Sequence, residues 1–363
     1  FYMDSVQDHT ACNLCVKLAA DHGFGSLRGF VNGVLRNIAR NKDSIVFPDQ
    51  EKDKRAYYSV MYSVPEELLE ILERDYDYET IDRILASGDS DRPTAIRVNT
   101  EKISVTAFSE KLRQNGITVE RGSMNDTSLL ISGYDYIRKV PGFFDGEFVV
   151  QDQSSCLAVK AAGINEGDLV VDVCAAPGGK TMYAAMLTGS EGHVISRDLI
   201  DKKTELIEEN IERLGLSNVT VQVHDAREFD EELTGKADVV IADLPCSGLG
   251  IMGRKNDIKY HVSMESVKEL AQLQREILDT VCRYVKPGGT LVYSTCTIDS
   301  IENDENAVWF ADTHDFSLCG IDDVVPEHGG ERGFVTLHQG IDECDGFFIS
   351  KFRADSNNQI GQE

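Results

Sequence analysis

Long apolar stretches are missing from this chain of 363 residues. No run reaches the roughly 18 apolar residues that a membrane-spanning helix needs. The first residues, with Asp4 and Asp8, lack the basic start and apolar core of a secretory signal. Both absences predict a cytoplasmic protein that makes no membrane contact. Framework spacing is missing from the cysteines. They number nine, an odd count, and several stand inside apolar runs, which suits reduced thiols rather than disulfides. The one CxxC, Cys12 to Cys15, has no second pair at ligand spacing, so no metal is expected. Positive charge is short as well: 36 Lys and Arg face 62 Asp and Glu, a net charge of −26. Taken whole, that balance argues against nucleic acid, whose phosphates dominate affinity. The deficit is uneven, however. Residues 1–60 hold eight Lys/Arg against seven Asp/Glu, so the acidic excess lies beyond them, and Arg254, Lys255 and Lys259 still form a local basic cluster there. A shaped groove lined by a few such cations can hold RNA in an acidic protein.

With 41% hydrophobic residues the chain can build two or three cored domains. Residues 15–40 carry apolar positions at helical spacing. A start at Phe1, without an initiator methionine, points to a longer helical domain of which this is the end. Helices are predicted over 66–76 and 78–86, the first opened by Pro65. The period then changes: strands over 94–99, 117–120 and 128–131 surround an amphipathic helix at 104–114. From about 150 onward strands and helices alternate, with strands at 169–173, 193–196, 219–223, 238–243 and 290–294. That order predicts an α/β fold with a parallel sheet covered on both faces. Helices are expected at 180–187, 202–214, within 264–285 and at 302–310, with Pro287-Gly288-Gly289 as a helix stop before a strand, and 347–352 adds a final strand.

The chemistry concentrates at the carboxyl ends of these strands, where open α/β sheets bind ligands. The first strand runs into Cys174-Ala175-Ala176-Pro177-Gly178-Gly179-Lys180-Thr181, a small-residue turn before a helix. It falls one residue short of a P-loop, which requires glycine where Cys174 stands. Acids follow the next strands: Asp198, Asp225 and Asp243. A carboxylate past the second strand can accept from both hydroxyls of a ribose, and one past the third can reach an adenine amino group. The set, without phosphate binders, points to a nucleoside ligand such as S-adenosyl-L-methionine. Each acid alone also reads as a strand end or helix cap, and Lys180 reads equally as capping the turn or lying near a target nucleotide.

Two cysteines sit just past strands, Cys246 after Val239–Pro245 and Cys296 after Thr290–Thr295. Free cysteines are usually buried and inert, which is the expectation for Cys156, Cys282, Cys319 and Cys344. Cys246 and Cys296 differ in having polar neighbours at a sheet edge that holds ligands. Cytosine carbon 5 is a poor nucleophile, and addition of a thiolate to carbon 6 makes it enamine-like. A carboxyl such as Asp243 can serve nitrogen 3 as charge develops, and a second thiol can assist release. Which thiol attacks is open on spacing alone.

Cys174–Thr181, Asp243-Leu244-Pro245-Cys246-Ser247-Gly248 and Ser294-Thr295-Cys296-Thr297 resemble motifs of the Nop/Sun RNA (cytosine-5)-methyltransferases. The segments at Arg97–Asn99, Val150–Ser155, Arg254–Lys259 and Asp345–Phe348 are similar to that family too, and Phe30–Arg36 resembles the end of a NusB-like domain. The resemblance implies a class I S-adenosylmethionine-dependent methyltransferase fold, Rossmann-like with a mostly parallel seven-stranded sheet, over 149–355. It implies a small α+β, RRM-like domain over 61–148, a NusB-like remnant over 1–60 and a disordered tail at 356–363. It further implies Cys296 as nucleophile, Cys246 in product release, the cofactor on Cys174–Lys180 with Asp198, Asp225 and Asp243, and RNA contacts from Arg97, Arg254, Lys255 and Lys259. The implied substrate is RNA, 16S ribosomal RNA first, for a monomeric enzyme. Transfer RNA as target, an idle assembly factor that binds ribosomal RNA, and a P-loop NTPase are the alternatives.

Overall fold

The computed structural model describes residues 5–89, 92–326, 328 and 330–356; positions 357–363 of the expected tail lie outside them. The chain divides after Ser63 into two units. In the first, α1 (Asp8–Ala19) packs on α2 (Arg28–Asn41), the chain reversing through Gly23 at φ 90°, and α3 (Lys54–Met61) follows. Cys12 and Cys15, both free, are buried and exposed respectively.

The second unit opens with α4 (Glu66–Asp75) and α5 (Tyr78–Ala86), whose apolar positions Leu68, Leu72, Ile81 and Ile84 are buried. Asp77 caps α5 by accepting from Thr80 N. A four-stranded antiparallel sheet comes next, of β1 (Thr94–Val98), β2 (Thr118–Arg121), β3 (Ser128–Ser132) and β4 (Phe148–Val150) in the order β2-β3-β1-β4. Helix α6 (Val105–Gln114) lays Phe108 and Leu112 on its face, against Ile96, Leu129, Ile131 and Phe148. The sequence offered no strand at β4, three residues being too few to show a period. Its pairing with β1 puts Val149 and Val150 in this sheet, so the boundary expected after 148 falls inside a strand.

The larger sheet is built from β5 (Leu169–Asp172), β6 (His193–Asp198), β7 (Val219–Val223), β8 (Ala237–Asp243), β9 (Val285–Thr295), β10 (Phe316–Leu318), β11 (Phe334–Leu337) and β12 (Phe347–Ala354). Seven of these run in the order β10-β12-β9-β8-β5-β6-β7, and β11 pairs with β12 as an eighth. The five from β9 to β7 are mutually parallel, while β12 runs antiparallel to β9. Successive side chains of a strand face opposite ways, and each face has its own core. Val171, Val240, Leu291 and Tyr293 meet α10 (Met264–Val281) and α11 (Asp304–Thr313) through Ile277, Leu278 and Phe310. Val170, Val239, Ile241 and Val292 meet α7 (Gln153–Ala162) and α8 (Gly179–Thr188) through Leu157 and Ala184. Helix α9 (Asp201–Leu214) follows β6. Pro287-Gly288-Gly289 is not the helix stop: α10 ends at Val281, a 3-10 turn covers Cys282–Tyr284, and the glycines already belong to β9.

Candidate active site

Because β5, β6, β8 and β9 are parallel, their last residues share one edge of the sheet, with Asp243 opposite Ser294 in the register. Cys246 lies three residues past β8 and Cys296 immediately past β9. Their sulfurs are 3.1 Å apart. Ser294 Oγ donates to Asp243 Oδ1 at 2.9 Å, and Ser247 Oγ and Thr297 Oγ1 meet at 2.7 Å, so each cysteine turn is tied to the other. Backbone bonds add to this, from Gly250 N to Cys296 O at 3.0 Å and from Gly346 N to Gly250 O at 2.8 Å. A Cβ on Gly250 would sit 2.0 Å from Gly346 O, so only glycine fits. Gly248, Gly250 and Gly253 have the G-x-G-x-x-G spacing, yet they lie in and around the 3-10 turn Leu249–Ile251 at this crossing and open no nucleotide-binding helix.

The Cys246 thiol is pushed well above the ordinary cysteine range by its hydrogen bond with Cys296 and then by burial. Lys180, in the first turn of α8, reaches Asp243 Oδ2 at 2.5 Å and Ser155 Oγ at 3.3 Å, with its ammonium 5.0 Å from the centre of the Phe347 ring. Burial is the largest influence on this lysine and opposes its charge, but Asp243 outweighs it and holds the ammonium above its ordinary value.

A cavity of about 220 Å³ opens beside this pair. Cys174, Ala175, Ala176, Pro177, Gly179, Lys180 and Asp243 line it, joined by Gln151, Asp152, Ser155 and Asp172, which were not named as site residues. Gly178, at φ 98°, makes the turn that lets α8 start behind the loop. Asp198 shapes the loop from beneath by accepting from Ala176 N at 3.1 Å and Ile200 N at 3.3 Å. Asp225 is held by Arg227, whose Nη2 donates to it at 2.6 Å. Neither acid is among the lining residues. Two lining groups have unsatisfied buried atoms, the acceptor Asp172 Oδ1 and the donor Gln151 Nε2. Burial pushes the Asp172 carboxyl up to about 7 although Thr181 Oγ1 donates to it at 2.7 Å. Burial also raises the thiol of Cys174.

Three of the four cations expected at RNA are otherwise engaged. Arg97 is buried, donates to Gln151 Oε1 at 2.7 Å and stacks 4.3 Å from the centre of the Tyr183 ring. Lys259 is buried as well. Arg254 is ion-paired with Asp345 at 2.6 Å and Asp152 at 3.5 Å. Lys255 is exposed. Charge clustering along the sequence says nothing of which cations packing turns inward. A residue missed altogether is Glu302, fully buried and hydrogen-bonded to Ser247. The sequence reading put it inside a helix, whereas α11 starts at Asp304 and leaves Glu302 and Asn303 in the turn after Cys296. The signal available was the acid and amide run Glu302-Asn303-Asp304-Glu305-Asn306 close behind a cysteine turn. Among the described residues no group of three or more His, Cys, Asp or Glu is placed to hold a metal, and no helix is long and apolar enough to cross a membrane.

Comparison with known proteins follows the division of the fold. The family described as 16S rRNA methyltransferase RsmB/F matches residues 160–353, the RsmF/B-like ferredoxin-like domain matches 64–135, and the NusB family matches 1–40. The probable ribosomal RNA small subunit methyltransferase B of Bacillus subtilis is 35% identical over 362 residues, covering 97% of this chain and 79% of its own. Ribosomal RNA small subunit methyltransferase F of Escherichia coli is 32% identical over 285 residues, 76% of this chain and 60% of its own. A solved methyltransferase homolog protein from Pyrococcus horikoshii superposes with a TM-score of 0.73 at 26% identity, over 84% of this chain and 99% of its own.

Proposed function

The chain belongs to the 16S rRNA methyltransferase RsmB/F family, and we propose that it methylates carbon 5 of a cytosine in RNA, 16S ribosomal RNA first, as a cytoplasmic monomer. The observation that carries this reading is the meeting of Cys246 and Cys296 at 3.1 Å beside the Lys180–Asp243 pair. Methyl transfer to an oxygen or an exocyclic nitrogen needs no thiol, whereas carbon 5 must be activated by a nucleophile at carbon 6.

The cavity fits S-adenosyl-L-methionine on its own chemistry. The unsatisfied Asp172 carboxylate oxygen suits an ammonium and the unsatisfied Gln151 amide suits a carboxylate, the two charges of an amino acid, and the Cys174–Lys180 loop supplies a close backbone approach. When bound, the cofactor supplies an electrophilic methyl carbon. Asp198 and Asp225 lie outside the cavity lining and are assigned to the nucleoside end only by the family resemblance. In this reading the target base leaves its helix to enter the site. Cys296 Sγ gives its thiol proton to the Asp243 carboxylate and forms a bond to carbon 6, and the displaced electron pair makes carbon 5 nucleophilic. Asp243, oriented by Ser294 and Lys180, passes that proton on to nitrogen 3 as negative charge develops there. Once carbon 5 carries the methyl group, Cys246, having passed its own proton to the Asp243 carboxylate, takes the carbon 5 proton as thiolate, the ring double bond re-forms, the bond from carbon 6 to Cys296 breaks, and the departing Cys296 thiolate recovers the proton held on nitrogen 3. The Cys246 thiol holds its proton more tightly than an ordinary cysteine, so the thiolate left once that proton is removed is a strong base.

The test is transfer of labelled methyl from S-adenosylmethionine to unmodified 16S ribosomal RNA, with the modified base identified by mass spectrometry. Cys296→Ala is expected to abolish 5-methylcytosine, and Cys246→Ala to accumulate a protein–RNA adduct that survives denaturing electrophoresis. A methylated base other than 5-methylcytosine would sink the reading; transfer to transfer RNA alone would change only the target.

A further inference from the structure

The two thiols owe their approach to groups on a third segment. Glu302 Oε2 accepts from Ser247 N at 2.9 Å, and Oε1 accepts from Ser247 Oγ. Gln274 Nε2 donates both to Glu302 Oε2 and to Pro245 O, each at 2.9 Å. The residues on either side of Cys246 are thus held by one carboxylate and the amide bound to it. The next residue, Asn303, does the same for the other cysteine: its Oδ1 accepts from Thr295 Oγ1 at 2.6 Å, and its Nδ2 donates to Thr297 O at 3.0 Å. Both side chains are fully buried. A buried carboxylate is costly unless multiply hydrogen-bonded, and this one spends its bonds on the Cys246 turn and on the glutamine that also grips it. The turn carrying the pair is itself anchored, by Asp299 accepting from Arg74 Nη2 at 2.7 Å and by Tyr76 OH donating to Ile298 O at 2.5 Å.

We propose that Glu302 is a positioning residue for Cys246 and Asn303 one for Cys296, so that the first governs release of product and the second governs attack on the base. This rests on the cytosine-5 reading above. The division follows from the side-chain contacts: the Glu302 carboxylate bonds to Ser247, and the Asn303 amide bonds to Thr295 and Thr297 on either side of Cys296. Neither touches Asp243 or the cofactor cavity, so cofactor binding should be indifferent to both.

The experiment is single-turnover methyl transfer to 16S ribosomal RNA by Glu302→Ala, Glu302→Gln and Asn303→Ala, scoring methylated RNA and covalent adduct separately, with thermal melting and S-adenosylmethionine binding as controls. In Glu302→Ala the methyl group should arrive at close to the wild-type rate while release slows by roughly tenfold to a hundredfold, as for a reacting group displaced by about 1 Å, and adduct should accumulate. Glu302→Gln should recover most of the release rate, because its amide oxygen can accept from Ser247 N and its NH2 can donate to Ser247 Oγ. Asn303→Ala should form adduct slowly and accumulate none. Wild-type release in Glu302→Ala overturns the proposal, as does equal loss of both steps in a variant that melts and binds cofactor normally, or adduct accumulation in Asn303→Ala. If Glu302→Ala does not fold, Glu302→Gln decides: a release step slower than wild type with adduct formation unchanged supports the proposal, and any other pattern overturns it. If wild-type enzyme forms neither adduct nor 5-methylcytosine, the cytosine-5 reading itself has failed, a result distinct from any variant pattern.

Discussion

Asp172 and Glu302 are the residues whose burial has the plainest consequence in solution. Both carboxyls are pushed up to about 7, chiefly by loss of water, while in an unfolded chain they would titrate near 3.9 and 4.3. Between those values the folded protein holds protons that the unfolded chain has released. Folding then takes up protons, and the contribution of these groups to stability is full below about pH 4, declines as pH rises toward 7, and changes no further above it. The melting temperature should therefore fall between pH 5 and 7, and Asp172→Asn should flatten that fall. An unchanged slope in the variant would show that Asp172 is ionised in the folded state. Ligand binding adds to the picture, because a cofactor ammonium at Asp172 would favour its ionised form and should weaken the same pH dependence.

At the scale of elements, the site is a crossing of three backbones: the turn after β8, the turn after β9 and the start of β12. Gly250 sits at the crossing, where an added Cβ would lie 2.0 Å from Gly346 O and 2.8 Å from Cys296 O. Backbone atoms cannot rotate away as a side chain does, so the turns must part. Gly250→Ala should cost about 1–3 kcal/mol of stability and should lower methyl transfer by more than that loss explains, since the displaced turn carries Cys296. Thermal melting beside single-turnover transfer checks both halves. Activity that drops only as far as the folded fraction drops would place Gly250 in folding alone. The parallel order of β5, β6, β8 and β9 does the remaining work, because it brings the Cys174–Lys180 loop and both cysteine turns to one edge without a long connection.

Over the whole molecule, a net charge of −26 leaves few cations for phosphate. Arg97 and Lys259 are buried, and of the two exposed members of the expected set Arg254 is ion-paired with Asp345, which leaves Lys255. Affinity for RNA should accordingly weaken only gently with salt. Lys255→Ala should reduce the slope of log K against log salt by about 1 and leave the methylated position unchanged. Filter binding over a range of salt measures it, and an unaltered slope would remove Lys255 from the RNA surface.

From the amino-acid order alone came the alternation of strands and helices, the glycine-rich loop behind the first strand of the large sheet, and the two cysteines at strand ends, because each depends on periodicity or turn chemistry within about ten residues. Strand β4 was invisible at three residues, and β9 starts before the glycines that were read as punctuation. The tertiary structure decided what depends on partners far apart in the chain. It brought sulfurs fifty positions apart in the sequence to 3.1 Å, turned Arg97 and Lys259 inward, and set Glu302 under Cys246 rather than on a helix face. The physical reason is common to all of these. The cost of burying a charge or a polar atom is set by the groups that meet it from other elements, and no spacing along the sequence records which groups those are.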